Sequence, residues 1–192
     1  MNTRLVGSEM CIRDRDYWVS GYGTGGTVSG VGRVLREKSP GTKIILTEPE
    51  NAALIGSELK QDRHSDNTPA TSHSSWNPHL IQGWTPDFIP FVLQEAIDNN
   101  YFDKLLPVSG EQGITWAKRL ARAEGIITGI SGGSTFAIAM EVAKDAPPDS
   151  NILCMLPDTG ERYLSSPLFE EIPEEMTDDE KKISLSTPNY QL

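Results

Sequence analysis

Four glycines stand within six residues in the segment GYGTGG at 21–26, directly after the short apolar run 17–19. Apolar residues then recur at helical spacing between 28 and 35, and the sequence Ser-Pro-Gly at 39–41 ends that helix. A second apolar run, Lys43–Glu48, predicts a strand. A strand, a helix and a second strand joined this closely form a βαβ unit, so the chain is expected to contain a parallel sheet.

The rest of the chain continues this alternation, which predicts an α/β fold with a parallel sheet flanked by helices. One segment departs from it: residues 56–78 are polar and irregular, and we interpret them as a long surface loop. The further predicted elements are a helix from Pro90 to about Asn99, a strand at Lys104–Val108, a helix to Glu124 capped by Ser109 and Gln112, a strand at Ile126–Ile130, a helix at Ser134–Lys144, a strand at Asn151–Leu156 and a short acidic helix capped by Thr177 and Glu180.

Three segments differ in composition. Residues 1–15 (MNTRLVGSEMCIRDR) follow no periodic pattern, and the run MCIRDR resembles translated sequencing adapter, so we expect a non-native, disordered scar. Residues 16–169 form the predicted domain. Residues 170–192 are an acidic tail, in which the stretch 170–182 holds seven acids and two lysines; a solvated surface explains it better than a site for a basic partner.

Charge and composition exclude several functional classes. The formal net charge of −10 disfavours nucleic-acid binding, and no apolar stretch is long enough to span a membrane. The chain is 37% hydrophobic and has 17 glycines, which is ordinary for a globular protein. Two cysteines, Cys11 and Cys154, form no disulfide framework, and a reducing cytoplasm is the simplest interpretation.

The first glycine-rich loop is typical of a phosphate site, because its backbone N–H groups open a helix whose N-terminus favours anions. The hydroxyls of Thr24 and Thr27 add donors. The loop by itself does not identify the phosphate ligand. The glycines at 21, 23 and 26 also satisfy the dinucleotide pattern, with Glu48 22 residues farther on as a ribose partner, which keeps an NAD-binding module as an alternative.

Two later loops also follow predicted strands. Residues 129–134 (GISGGS) match the nucleophile elbow of hydrolases, but all three histidines precede the serine, so a pocket-lining role is favoured. Residues 157–164 (PDTGERYL) are polar after an apolar strand, and a structural turn is equally compatible with them. We expect the histidines to be solvated rather than metal-bound, Cys154 to be an inert buried thiol, and three tryptophans to be packing residues: Trp76, Trp84 and Trp116.

Four segments in order resemble the C-terminal half of cysteine synthase (O-acetylserine sulfhydrylase), a fold-type-II pyridoxal-phosphate enzyme of the tryptophan synthase β-like family. They are GTGGT at 23–27, IQG…FIP at 81–90, EGIITGISGGS at 124–134 and LPDTGERYLS at 156–165. The resemblance spans about residues 16–169 and favours pyridoxal phosphate over NAD. It also implies that the N-terminal half of the fold is missing from this chain.

The resemblance implies a set of site residues. Thr159 corresponds to the family's hydroxyl at the pyridine nitrogen of the cofactor, and a neutral partner there suits β-elimination. Gly83, Ser131 and Gly132 would line the pocket, although GWTPD at 83–87 replaces the family's GIGAG and SGG replaces SSG. The cofactor phosphate would be held by Gly23, Thr24, Gly25, Gly26 and Thr27.

The resemblance implies replacement of the acetate of O-acetylserine by sulfide to give cysteine; cystathionine β-synthase, with serine and homocysteine, is an alternative. The family uses a lysine that forms a Schiff base with the cofactor, and no lysine here stands in such a motif. We therefore expect that lysine upstream and the chain alone to be inactive. A cytoplasmic homodimer is implied, with serine acetyltransferase as a possible partner.

Overall fold

A sheet of four parallel strands forms the centre of the protein. The structure is a computed structural model that describes residues 15–186. The strands are β1 (Tyr17–Gly21), β2 (Lys43–Pro49), β3 (Lys104–Val108) and β4 (Ile152–Cys154), in the spatial order β3-β2-β1-β4. The helices are α1 (Gly26–Lys38), α2 (Phe91–Asp98), α3 (Gly110–Glu124), α4 (Ile130–Asp145) and α5 (Asp178–Ser186), with 3₁₀ turns at Glu50–Ala52 and Gly160–Tyr163.

The sheet separates two apolar layers, because neighbouring residues of a strand point to opposite faces. Trp18 of β1 packs with α1 and α2 through residues such as Leu35 and Leu93. Val19 packs on the other face with α4, next to Ile130 and Ile138. The parallel α/β class predicted from the sequence is therefore confirmed.

The predicted strand at Ile126–Ile130 is wrong. This segment forms only one isolated antiparallel bridge, between Thr128 and Thr159, and β4 takes the position beside β1. Ile126 and Ile127 are 45% and 55% exposed, so their apolar composition does not reflect burial in a sheet. The helix predicted from Ser134 begins instead at Ile130.

The two predicted capping boxes are present. Ser109 Oγ accepts from the backbone N–H of Gln112 at 3.1 Å, and Gln112 Oε1 accepts from the backbone N–H of Ser109 at 2.9 Å. In the tail, Glu180 accepts from the N–H of Thr177 at 2.7 Å and its own N–H reaches Thr177 Oγ1 at 3.3 Å. These side chains fix the starts of α3 and α5.

One histidine of the polar segment that follows β2 is not solvated as predicted. His73 is buried rather than solvated: its backbone N–H donates to the carbonyl of Asp87 at 2.6 Å, and its ring Nδ1 accepts from the backbone N–H of Ser75 at 3.3 Å. Of the other two histidines, His64 is exposed and His79 half-buried. Within residues 15–186 there is no helix long and apolar enough to cross a membrane, and no group of three potential metal ligands.

Candidate cofactor phosphate site

The glycine-rich loop joins the carboxyl end of β1 to the first turn of α1. Gly25 is the residue before the helix, with φ +86°, and its carbonyl accepts the N–H of Ser29 at 2.9 Å. Within the described part of the chain, no side chain caps this helix start. Thr24 and Thr27 are exposed beside it. Uncapped N–H groups, exposed hydroxyls and the absence of an acid in the first turn favour binding of a small anion.

Neighbouring backbone explains why glycines are required here. A Cβ on Gly25 would lie 2.6 Å from the Cα of Leu93 in α2, and its positive φ is disfavoured for any other residue. A Cβ on Gly23 would lie 2.5 Å from the carbonyl oxygen of Gly83. The loop is therefore enclosed by α2 on one side and by the segment at 83–85 on the other.

Glu48, the alternative ribose partner of the dinucleotide interpretation, points into the protein. It is 2% exposed, and its carboxylate accepts from the hydroxyl of Tyr22 at 2.5 Å and from the N–H groups of Ile55 at 3.1 Å and Gly56 at 2.8 Å. Burial raises the pKa of Glu48 above its ordinary value, although these donors act in the opposite direction. A carboxylate enclosed in this way has no face left for a ribose.

The loop after β4 reaches the same edge of the sheet. Met155 donates its N–H to the carbonyl of Val19 in β1 at 3.0 Å, so the chain leaves the sheet beside the end of β1. Thr159 is exposed there, and its hydroxyl donates to Glu161 at 3.3 Å. The length of this bond makes it weak, and the exposed hydroxyl is accessible to a ligand.

The segment at 127–132 supports this second loop from below. Gly160 donates its N–H to the carbonyl of Ile127 at 3.2 Å, and the hydroxyl of Thr128 donates to the carbonyl of Asp158 at 3.2 Å. Ser131 is 3% exposed, and Gly132 packs against Thr128, so both lie beneath the loop. Gly83 is exposed next to Gly23. The pocket-lining role of these three residues stays a prediction.

Asp158 and Tyr163 form a pair that sequence reasoning did not find. The hydroxyl of Tyr163 donates to Oδ2 of Asp158. Burial and then the Asp158 carboxylate raise the pKa of Tyr163 to about 12, so the phenol stays a donor at neutral pH. The carboxylate next to Thr159 is thus turned toward Tyr163.

Comparison with known proteins shows the family of the chain. The family model described as "Pyridoxal-phosphate dependent enzyme" matches residues 5–158. The chain belongs to this family. The match covers all the residues of the glycine-rich loop and ends one residue before Thr159; it begins within the segment expected to be a scar, and that expectation stays a prediction.

The chain is similar to curated relatives and to solved structures of known enzymes. An O-ureido-L-serine synthase from Streptomyces lavendulae is 40% identical over 172 residues, covering 90% of this chain and 47% of the relative. A cysteine synthase from Staphylococcus aureus is 34% identical over 154 residues, covering 80% and 43%. A crystal structure of O-ureido-L-serine synthase matches with a TM-score of 0.71 at 38% identity, covering 88% and 47%. The chain thus spans less than half the length of these proteins.

The residues present fit the family's cofactor. The uncapped start of α1 suits a phosphate. Gly25 is left-handed and Gly23 has no room for a side chain, so bare backbone lines this part of the loop. Thr159 supplies a neutral hydroxyl on the neighbouring loop. The resemblance to fold-type-II pyridoxal-phosphate enzymes, the fold and the cofactor are confirmed by these matches.

The eight lysines of the described chain lie elsewhere. Lys43 and Lys104 begin strands, and Lys38 and Lys144 end helices, so these four lie at the amino edge of the sheet, opposite the glycine-rich loop. Lys118 pairs with Glu171 at 3.2 Å. The remaining lysines are exposed in the loop after β2 and on the tail helix: Lys60, Lys181 and Lys182.

Proposed function

We propose that this chain is the cofactor-phosphate-binding part of a cysteine synthase, an enzyme that replaces the acetate of O-acetylserine with sulfide. The observation that carries the proposal is the uncapped, glycine-built start of α1 with the exposed hydroxyl of Thr159 on the adjacent loop. The burial of Glu48 weighs against the alternative of an NAD-binding module. The 34% identity to a cysteine synthase is compatible with this reaction.

Pyridoxal phosphate, when bound, supplies the electron sink that allows a substituent to leave Cβ of an amino acid. The residues of this chain hold and orient it. The N–H groups at 23–27 would hold the phosphate, together with the Thr24 and Thr27 hydroxyls. Thr159 would offer a neutral hydroxyl to the ring nitrogen, while Tyr163 holds the neighbouring Asp158 carboxylate by a hydrogen bond.

The lysine that holds the cofactor in this family belongs, in our proposal, to a segment upstream of residue 16. The positions of Lys38, Lys43, Lys104 and Lys144 at the far edge of the sheet support this. The chain by itself is then expected to bind the phosphate without turnover. The complete enzyme is expected to be a cytoplasmic homodimer that takes small amino-acid substrates, with serine acetyltransferase as a candidate partner.

A second candidate reaction has a specific observation in its favour. The relative at 40% identity is named for O-ureido-L-serine, in which the group added to serine is attached through oxygen. If the same donor is used, this candidate differs from the first in its nucleophile, an oxygen nucleophile such as hydroxyurea in place of sulfide. Cystathionine β-synthase, with homocysteine as its sulfur nucleophile, remains a third possibility within the family.

The test is a steady-state assay of the enzyme expressed from a reading frame extended upstream of residue 16. With O-acetylserine as donor, sulfide is expected to be the best nucleophile, and hydroxyurea and homocysteine are compared at equal concentration. A higher kcat/KM with hydroxyurea would replace the first candidate by the second. Thr159→Ala in the same enzyme is expected to lower kcat and shift the cofactor absorbance. The chain 1–192 is the matched control, and turnover by it would contradict the upstream placement of the lysine.

A further inference from the structure

Tyr22 is the one large side chain in the glycine-rich loop at 21–27. Its ring is 2% exposed and packs in the apolar layer formed with α1 and α2. Its side chain is thus buried, while Thr24 and Thr27 of the same loop are exposed. A tyrosine in this position is therefore placed to act on the site from beneath.

The phenol of Tyr22 is tied to the segment that follows β2. It donates to Oε2 of Glu48 at 2.5 Å, and Glu48 also accepts from the backbone of Ile55 and Gly56. A buried carboxylate is costly unless its oxygens are satisfied, so each of the three donors matters. Burial and the Glu48 carboxylate raise the pKa of Tyr22, which keeps the phenol a neutral donor.

The backbone of Tyr22 is tied to a different segment. Its carbonyl accepts the N–H of Thr85 at 2.9 Å. Thr85 is buried with φ +39°, a strained conformation for a β-branched residue, and its carbonyl accepts from Trp76 Nε1 at 3.1 Å. His79 Nε2 lies 3.2 Å from the same oxygen. The strain at Thr85 persists only because these neighbours hold it.

We propose that Tyr22 is a positioning residue of the phosphate site: its bond to Glu48 anchors the glycine-rich loop, with the 83–85 segment fixed on its other side, so that the N–H groups at 23–27 converge on one anion. Glycines supply no rigidity of their own, and a loop built from them needs an external anchor to stay organised. This inference deepens the proposed function and rests on it, because it concerns the same site.

The test is Tyr22→Phe in the full chain, which removes one oxygen and keeps the ring. Thr47→Val is the matched control: Thr47 is buried on the same strand as Glu48, and its hydroxyl has no partner within the described residues. The probe is pyridoxine phosphate, which has no aldehyde and cannot react with surface lysines. Pyridoxine, without the phosphate, is measured beside it.

Tyr22→Phe is expected to weaken pyridoxine phosphate binding about tenfold, the effect of one lost charge-assisted hydrogen bond, and to leave pyridoxine binding unchanged. Amide hydrogen exchange at 23–27 in the unliganded chain is expected to accelerate by a similar factor, while Thr47→Val changes neither quantity. A merely structural role predicts a lower midpoint of unfolding with unchanged affinity and unchanged local exchange, and that result would overturn the inference.

Glu48→Gln provides a second variant, because its amide presents N–H groups to donors that need an acceptor. It is expected to act in the same direction as Tyr22→Phe, and the double variant is expected to be no worse than the weaker-binding single variant. Independent, additive effects would contradict the anchor. If the unaltered chain binds no pyridoxine phosphate, the proposed function fails; if it binds and Tyr22→Phe binds equally well, only the anchor fails.

Discussion

Two glycine-rich segments of this protein have similar compositions and different surroundings. The segments 21–27 and 129–134 both combine glycines with hydroxyl residues where a helix begins, at Gly26 for α1 and at Ile130 for α4. In the first, Thr24, Gly26 and Thr27 are exposed at an uncapped helix start. In the second, every residue from 129 to 134 is buried.

The glycines do different work in the two loops. In the second loop, Gly133 lies against the carbonyl of Gly113, so its lack of a side chain lets α3 and α4 approach closely. The hydroxyls there are hydrogen-bonded within the helix: Ser134 donates to the carbonyl of Ile130 at 2.9 Å and Thr135 to that of Ser131 at 3.0 Å. Of the two segments, only the one at 21–27 leaves its helix start open to the surface, which is what a phosphate site requires.

The largest expected effect is that of Gly25→Ala on phosphate binding. The new Cβ meets the backbone of Leu93, and the left-handed conformation becomes unfavourable, so the loop must rearrange. Affinity for pyridoxine phosphate is expected to fall about a hundredfold, roughly 3 kcal/mol, since several charge-assisted bonds are lost together. Isothermal titration measures this, and an unchanged affinity would place the phosphate elsewhere.

Gly133→Ala is expected to affect stability instead. A Cβ there collides with the carbonyl of Gly113, which cannot move without separating α3 from α4. The free energy of unfolding is expected to fall by about 1–3 kcal/mol, as for other overpacked sites. Urea denaturation measures the loss. If Gly133→Ala instead keeps the stability of the unaltered chain and lowers its affinity for phosphate, the two segments do not have separate roles.

Cys154 tests whether the apolar layer between the sheet and α4 stays closed in solution. Burial raises the pKa of its thiol, so the thiolate is scarce at pH 8, and alkylation by iodoacetamide is expected to be several-fold slower than in the urea-unfolded chain. Because the folded pKa is raised, the associated stability is present at low pH and is lost as pH rises through that value. Mass spectrometry of the Cys154 peptide follows the reaction; equal rates in both states would contradict the burial.

The smallest expected effect is a gain in stability. Gly30 lies inside α1, and a Cβ there would meet nothing within 4 Å. Gly30→Ala is expected to raise the free energy of unfolding by about 0.5–1 kcal/mol through helix propensity alone, and to leave phosphate affinity unchanged. It is the matched control for both other glycine variants. A loss of stability would mean that α1 is packed more tightly than described.

The sequence was sufficient to predict the βαβ unit and the glycine-rich turn inside it, because glycine spacing and apolar periodicity are local signals. It misassigned Ile126–Ile130, where three isoleucines and a threonine have the composition of a strand but lie outside the sheet. The inward direction of Glu48 and the burial of His73 depend on partners distant in the sequence: Tyr22 for the first, Asp87 for the second. Such long-range pairings have no signature in a single sequence.

Residue-resolved amide hydrogen exchange, with and without pyridoxine phosphate, tests the central claim most directly. The account predicts slower exchange at the amides of residues 23–27 when pyridoxine phosphate is present, no such protection with pyridoxine, and no change at 130–134 with either compound. Protection at 130–134, or none at 23–27 under saturating pyridoxine phosphate, would contradict the assignment of the phosphate site to the start of α1.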